Sequence, residues 1–216
     1  CTYGGDKGIF GFGNNPIYYS LTNLVSNTGV VSADVTGVGT ARAYIAACEY
    51  GTDKAIFGLG YTAADINVSY SNLVSNAGVV ATDVATASGT ARSNHAACGY
   101  GDDKGVFGYG GDSGGYLSMT NLVSNVGVIG ADVTGVGTAR TQLGATQYGY
   151  DKGIFGYGVG PVSVTNLVSN VGVTSADVTG VGTARTYITA CSYGGDKGIF
   201  GFGAWPIMAM TNLVSN

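Results

Sequence analysis

The chain has 216 residues, of which 39 are glycine, 9 are Lys or Arg and 13 are Asp or Glu, and its formal net charge is −4. The 15 tyrosines and the 45% share of hydrophobic residues exclude a disordered chain. Only 3 prolines and no three-residue glycine period exclude collagen. The acidic balance argues against a nucleic-acid partner, and no apolar run is long enough for a membrane-spanning segment. This composition predicts β-structure punctuated by glycine.

Three phrases recur along the chain in a fixed order. Tyr-Gly-x-Asp-Lys-x-Ile/Val-Phe-Gly-x-Gly begins at Tyr3, Tyr50, Tyr100, Tyr148 and Tyr193. Asn-Leu-Val-Ser-Asn begins at Asn23, Asn72, Asn121, Asn166 and Asn212. Gly-Thr-Ala-Arg ends at Arg42, Arg92, Arg140 and Arg185. This periodicity predicts a single repeat domain over 1–216, with units at 3–49, 50–99, 100–147 and 148–192 and a partial unit at 193–216.

Each unit is predicted to hold four short strands, which are clearest in the second unit. Residues 43–50 are small and apolar, 54–58 follow a tight turn, 72–80 carry β-branched residues, and 82–85 form a weaker fourth element. No apolar pattern keeps a helical period, so no helix is predicted. The fold class expected is therefore all-β, a β-propeller of about five four-stranded units. A β-solenoid is the alternative, although its coils usually need about half as many residues.

The charged residues mostly recur at repeat positions. Nine acids do so, and four of them precede the Gly-Thr-Ala-Arg phrase, at Asp34, Asp83, Asp132 and Asp177. We expect the recurring charges to hold the units together by pairing across turns or between neighbours. The structural set is Asp6, Lys7, Arg42, Asp53, Lys54, Arg92, Asp103, Lys104, Arg140, Asp151, Lys152, Arg185, Asp196 and Lys197. Four acids do not repeat: Glu49, Asp65, Asp102 and Asp112.

The loop between the second and third strands varies most from unit to unit. The distance from Lys to the next Asn-Leu-Val runs from 14 to 18 residues, whereas the distance from Arg to Lys is 12 in every unit. Insertions of this kind map to one face of a repeat protein, which is often the binding face. The candidate ligand-binding residues are Tyr18, Tyr19, Tyr61, Tyr70, Asp112, Tyr116 and Trp205. The alternative is that these loops drift freely and their aromatic residues cap the units.

The residues needed for catalysis or metal binding are scarce. His95 is the single histidine, and no Gly-x-Ser-x-Gly nucleophile elbow is present. The cysteines share one repeat position, which favours small buried thiols over disulfides; they are Cys1, Cys48, Cys98 and Cys191. We therefore expect no catalytic site, no metal site and no cofactor.

The stretch from Arg92 to Gly110 resembles the kelch repeat. Arg92-Ser-Asn-His95 stands where that family has Arg-x-x-His before the innermost strand, and Phe-Gly-Tyr-Gly ends the second strand. The glycine pair is split by one residue, and the family's late Trp is missing. The resemblance implies a kelch-like β-propeller that serves as a binding platform.

The function predicted is a non-catalytic structural or adhesive module of an extracellular assembly, such as a viral tail appendage or surface fibre. The alternative is a lectin-like propeller that binds carbohydrate with its variable loops. The expected partners are proteins or copies of the chain itself, with glycans as the partners under the lectin-like alternative, and the expected location is extracellular or virion-associated. The phrase at Cys1 nearly recurs at Cys191 and the chain starts without Met, so we expect a segment of a longer or processed chain.

Overall fold

The computed structural model describes residues 1–85 and 89–215, and this part of the chain is all-β without a helix. The predicted all-β class is confirmed. Residues 86–88 of the predicted second unit, and Asn216 of the partial unit, lie outside the described residues. Over the described ranges, no helix is present that could cross a membrane.

Twenty strands occur in these residues. In chain order they are β1 (Thr2–Tyr3), β2 (Lys7–Asn14), β3 (Tyr18–Val25), β4 (Arg42–Ala43), β5 (Ala46–Tyr50), β6 (Lys54–Gly58), β7 (Tyr61–Thr62), β8 (Tyr70–Val74), β9 (Val84–Ala85), β10 (Ala96–Tyr100), β11 (Lys104–Gly108), β12 (Gly111–Asp112), β13 (Gly115–Tyr116), β14 (Thr120–Val123), β15 (Gly144–Tyr148), β16 (Lys152–Gly156), β17 (Thr165–Val168), β18 (Thr189–Tyr193), β19 (Lys197–Gly201) and β20 (Thr211–Val214).

Each unit forms one main antiparallel sheet with the same register, and the units are counted below from the Gly-Thr-Ala-Arg phrase or first strand that precedes each of these sheets. The main sheets are β1-β2-β3, β5-β6-β8-β9, β10-β11-β14, β15-β16-β17 and β18-β19-β20, and two further two-stranded sheets are β4-β7 and β12-β13. In the second unit Tyr50 pairs with Lys54 at the turn, and Phe57 pairs with Asn72. Three residues, Gly51, Thr52 and Asp53, connect the two strands, and Gly51 and Thr52 have positive φ of 59° and 69°. Glycine adopts this backbone conformation without steric strain.

Two predicted strands are shorter in the structure. The strand expected over 43–50 is interrupted at Tyr44, whose φ of 55° is left-handed and breaks the pleat between β4 and β5. The strand expected over 72–80 ends at Val74, because the chain turns back and Val74 bridges to Val80. The Ser75 hydroxyl stabilises this turn by accepting the Val79 amide at 3.1 Å.

The fourth strand is also smaller than predicted. Residues 82–85 supply only β9, which pairs with β8 in the second unit. In three other units the equivalent residues make isolated bridges, such as Thr120 to Val133. A side chain supplies a hydrogen bond where the fourth strand is short: Asn72 Nδ2 donates to the Ala81 carbonyl at 3.0 Å.

The hydrophobic core lies between neighbouring units. One buried cluster joins Ile56 and Leu59 of the second unit to Phe107 and Val123 of the third. In the second to fifth units, the ring of the second-strand phenylalanine lies against a glycine of the preceding unit. A Cβ atom on Gly58 would lie 2.6 Å from Cζ of Phe107, which is closer than real side chains approach. The glycines therefore make room for the contact that joins the units.

Backbone hydrogen bonds cross the same junctions. The amide of the turn glycine in one unit donates at 2.7 Å to the carbonyl of the turn aspartate in the next, from Gly4 to Asp53, Gly51 to Asp103, Gly101 to Asp151 and Gly149 to Asp196. The first strands of all five units line one common cleft of about 450 Å³. The units are thus held side by side in one repeating geometry.

Replacing Gly108 with Ala tests this packing, with Gly201→Ala as the matched control. Both glycines end the second strand of their unit, but a Cβ on Gly108 would lie 2.6 Å from the Phe155 ring, whereas the nearest atom to one on Gly201 is 3.7 Å away. We expect Gly108→Ala to lower the free energy of unfolding by about 1–3 kcal/mol. Gly201→Ala should be neutral or slightly stabilising, by less than about 1 kcal/mol. Urea denaturation of dilute protein measures both; equal effects would contradict the packing described.

Candidate functional site

Four arginines are wholly buried at the junctions between units. Arg140 donates from Nε to the Tyr157 carbonyl at 2.7 Å and from Nη2 to Asn166 Oδ1 at 2.7 Å. Its Cζ lies 4.1 Å from the centre of the Tyr109 ring, which belongs to the preceding unit. A buried guanidinium needs such partners because an unpaired charge is costly to desolvate. The four are Arg42, Arg92, Arg140 and Arg185.

An aspartate and a threonine complete three of the arginine networks, those of Arg42, Arg92 and Arg140. Thr40 donates its hydroxyl to Asp83 at 2.6 Å, and Asn72 donates to the same carboxylate at 2.9 Å. Burial alone would raise the pKa of Asp83, but these hydrogen bonds and the charge of Arg42 outweigh burial and hold the pKa below its usual value. Burial lowers the pKa of Arg42 to about 10, so the guanidinium stays charged at neutral pH.

The Asp-Lys charges occupy the hairpin turns. Lys54 Nζ lies 2.8 Å from Asp53 Oδ1, and Asn76 donates to the other carboxylate oxygen at 2.9 Å. The aspartate thereby ties the turn to the end of the third strand of its own unit. Both side chains of the ion pair are partly exposed, so we expect the pair to add little stability. Equivalent ion pairs are Lys7–Asp6, Lys104–Asp103 and Lys197–Asp196.

Three of the predicted ligand-binding residues line one cleft. This first cleft has a volume of about 770 Å³ and lies between the loops of the second and third units. Tyr61, Asp112 and Tyr116 line it, together with the non-repeating Asp65. Asp112 Oδ1 accepts the Gly114 amide at 2.7 Å, and the Tyr61 hydroxyl donates to Asp65 Oδ1 at 3.4 Å. The carboxylates therefore order the loops that form the walls.

Burial raises the pKa of the Tyr61 phenol, and the neighbouring Asp65 carboxylate acts in the same direction. The phenol is therefore neutral over the physiological pH range. A neutral Tyr hydroxyl can donate and accept hydrogen bonds, while its ring offers an apolar face. The first cleft thus combines neutral hydroxyl, carboxylate and ring surfaces.

A second cleft of about 380 Å³ adjoins the first. Trp205 and Tyr116 both line it, with Tyr187 and Pro161. Tyr116 is 55% exposed and Trp205 is 73% exposed. Because Tyr116 borders both clefts, the loops of the second to fifth units form one continuous surface, called the loop face below.

The remaining three predicted residues line neither cleft. Tyr18 and Tyr19 begin β3 and are half-buried, and the Tyr19 hydroxyl donates to the Asn15 carbonyl at 3.3 Å. Tyr70 begins β8, also half-buried, and pairs with Ala85. These three tyrosines therefore form part of the sheets of their own units.

Two cleft residues that sequence reasoning missed are Asn94 and Gln142. Each stands two positions after a buried arginine, and each has a left-handed backbone, with φ of 53° and 55°. Their backbones form a chain of hydrogen bonds from unit to unit: Asn94 N donates to the Tyr44 carbonyl at 3.0 Å, Gln142 N to Asn94 at 2.9 Å and Tyr187 N to Gln142 at 3.0 Å. Variation at this position of an otherwise regular repeat is the signal that could have identified them.

His95 and the cysteines line neither of the two loop clefts. His95 is buried with its ring centre 5.6 Å from that of Phe107. Burial and then the charge of Arg92 hold its pKa well below the usual value, so the imidazole is neutral. Cys48 and Cys98 are buried as expected, whereas Cys1 and Cys191, in the first and fifth units, are exposed.

The comparison of the chain with known families and curated proteins finds no match in either. Within residues 1–85 and 89–215, no group of three or more His, Cys, Asp or Glu side chains is placed to hold a metal ion. What the loop face can do chemically is to bind: aromatic rings, amides and carboxylates line shallow clefts on a rigid β-scaffold.

Proposed function

We propose that this chain is a non-catalytic structural and adhesive module of an extracellular assembly, such as a viral tail appendage or a surface fibre. The observation that carries the proposal is the division of the side chains into two sets. The recurring charges are engaged in the turns and junctions of the repeat, while the exposed, variable aromatic residues gather on the loop face. A regular framework that carries a variable face is the arrangement expected of a recognition module.

A kelch-like propeller is the architecture we propose for this framework. Two features support it: five sheets share one register, and their first strands line one cleft together. The buried Arg92, four residues before β10, matches the Arg-x-x-His position of the kelch pattern. A solenoid would be expected to stack its sheets along an axis instead of gathering their first strands around a cleft.

The absence of catalysis is part of the same proposal. His95 is buried and neutral, so it is poorly placed to take a proton from a bound molecule. Asp65 and Asp112 share the first cleft, but each carboxylate accepts a hydrogen bond from its own loop. A loop-ordering carboxylate is suited to positioning a ligand's hydroxyl groups.

The structural role can be tested in the native source. An antibody raised against the purified chain should label particles, appendages or fibres in electron micrographs, because a structural module stays attached to its assembly. Pre-immune serum is the control. Labelling confined to free protein, with bare particles, would contradict the structural role.

The second candidate is lectin-like binding of carbohydrate, and the first cleft specifically favours it. Tyr61 and Tyr116 offer ring faces to the C–H faces of a sugar, while Asp65, Asp112 and Asn94 offer acceptors and donors to its hydroxyl groups. The cleft volume of about 770 Å³ is large enough for a short oligosaccharide.

Replacing Tyr116 tests this candidate, because its ring borders both clefts. We expect the chain to bind at least one saccharide on a glycan array, and Tyr116→Ala to weaken that binding by at least about tenfold. Tyr150→Ala is the matched control, since Tyr150 is 64% exposed but lies in a turn at the opposite end of the strands. No saccharide bound, or equal loss in both variants, would contradict the lectin candidate and leave the structural role to be judged by the micrographs.

A further inference from the structure

Two side chains are shared by the two clefts of the loop face. Tyr116 and Gln142 each line both the first cleft and the second. The backbone of Gln142 is fixed on both sides, because its amide donates to the Asn94 carbonyl at 2.9 Å and its carbonyl accepts the Tyr187 amide at 3.0 Å. An amide side chain can both donate and accept hydrogen bonds. The clefts therefore meet at an aromatic ring and a rigidly placed amide.

The two clefts differ in polarity. Asp65 and Asp112 place carboxylates in the first cleft. The described residues that line the second cleft carry no charge, and they include the exposed rings of Tyr187 and Trp205. A ligand that fits both clefts must offer hydrogen-bond donors to one and an apolar face to the other. A chain of sugar rings has both, because each ring carries hydroxyl groups at its edge and C–H groups on its face.

Basic side chains are absent from the described lining of both clefts. Arg92 and Arg140 each stand two residues before a cleft residue, but both are wholly buried. Each lysine of the repeat begins a second strand, at the opposite end of the sheets from the loops. An anionic ligand would face Asp65 and Asp112 without a cation to balance its charge, and like charges brought together on binding are strongly unfavourable. An uncharged ligand avoids this repulsion.

We propose that the loop face binds one extended, uncharged oligosaccharide that lies across both clefts. Its hydroxyl groups would reach Asp65 and Asp112 in the first cleft, and the face of another sugar would lie on Trp205 in the second. Tyr116 and Gln142 would contact the sugar that passes from one cleft to the other. The inference rests on the lectin-like candidate above and deepens it by naming the length and the charge of the ligand.

A glycan array that prints linear, neutral oligosaccharides of about two to six sugar residues tests the length of the ligand. We expect binding by the wild-type chain to strengthen at least about tenfold from the shortest bound saccharide to the longest, because longer saccharides reach the second cleft. Trp205→Ala should remove most of this gain and leave the shortest saccharide bound within about twofold of wild type, since Trp205 lines only the second cleft. Tyr61→Ala should weaken binding at every length, since Tyr61 lines only the first cleft.

Matched variants keep this test specific. Tyr150→Ala is the control, because Tyr150 lies in a hairpin turn at the opposite end of the strands; it should bind like the wild type at every length. Tyr187→Ala provides a second variant of the second cleft, because Tyr187 is 60% exposed and lines that cleft alone. Circular dichroism checks that each variant is folded.

The same saccharides carrying sulfate groups along their length test the charge of the ligand. We expect the sulfated saccharides to bind at least about tenfold more weakly than the neutral ones. Replacing both cleft acids, Asp65→Asn together with Asp112→Asn, should reduce this difference to within about threefold, because asparagine keeps an acceptor oxygen for the loop but lacks the charge. Asp102→Asn is the matched control, since Asp102 is an exposed acid in a hairpin turn; it should keep the full difference.

Three results would overturn the inference. Binding that does not strengthen with length, or that Trp205→Ala weakens equally at every length, would contradict a single extended ligand. Sulfated saccharides bound as tightly as neutral ones would contradict an uncharged ligand, and both of these results would leave the lectin candidate standing. Absence of binding to every printed saccharide would overturn the inference together with the lectin candidate, and the structural role would still be judged by the micrographs.

Discussion

At each junction between units, a phenylalanine ring of one unit lies against a glycine of the unit before it, and the other features of the structure follow from this contact. A side chain at Gly58 or Gly108 would occupy the space of the ring. The high glycine content is therefore partly a packing requirement. Because the ring and the glycine belong to different units, most hydrophobic burial lies between units, and a single unit would be poorly stabilised alone.

The buried arginines allow polar groups to share these junctions. Arg140 satisfies a carbonyl and an asparagine of its own unit and stacks on Tyr109 of the preceding one. The left-handed residue in Phe-Gly-x-Gly, such as Leu59 or Tyr109, presents its carbonyl to the arginine Nε of the same unit. Removing one partner of such a network would leave a buried group without a hydrogen bond. This constraint explains why the residues at the junctions recur from unit to unit, whereas the residues of the loop face vary.

The sequence predicted the recurring strands and turns better than the points where strands are interrupted and the residues that the units bring together. The strand over 54–58 is found at those bounds, because a turn phrase marks one end and glycine the other. The break at Tyr44 was missed, since a left-handed tyrosine carries no local signal. Tyr116 and Trp205 were predicted from variable loops and do share a cleft, whereas Asn94 and Gln142 escaped notice because they lie in a different phrase of the repeat. Their approach to the loops depends on how units pack together, which a single unit's sequence does not contain.

Hydrogen exchange of the turn glycines tests the inter-unit contact most directly. The amides of Gly51, Gly101 and Gly149 donate across junctions at 2.7 Å, whereas Gly194 stands at the same repeat position in the fifth unit, which has no following unit among the described residues. In dilute, monomeric protein, the first three amides should exchange only through global unfolding, and Gly194 should exchange at least about 1,000-fold faster. Similar, rapid exchange of all four amides would contradict the account, because the units would then be independent sheets.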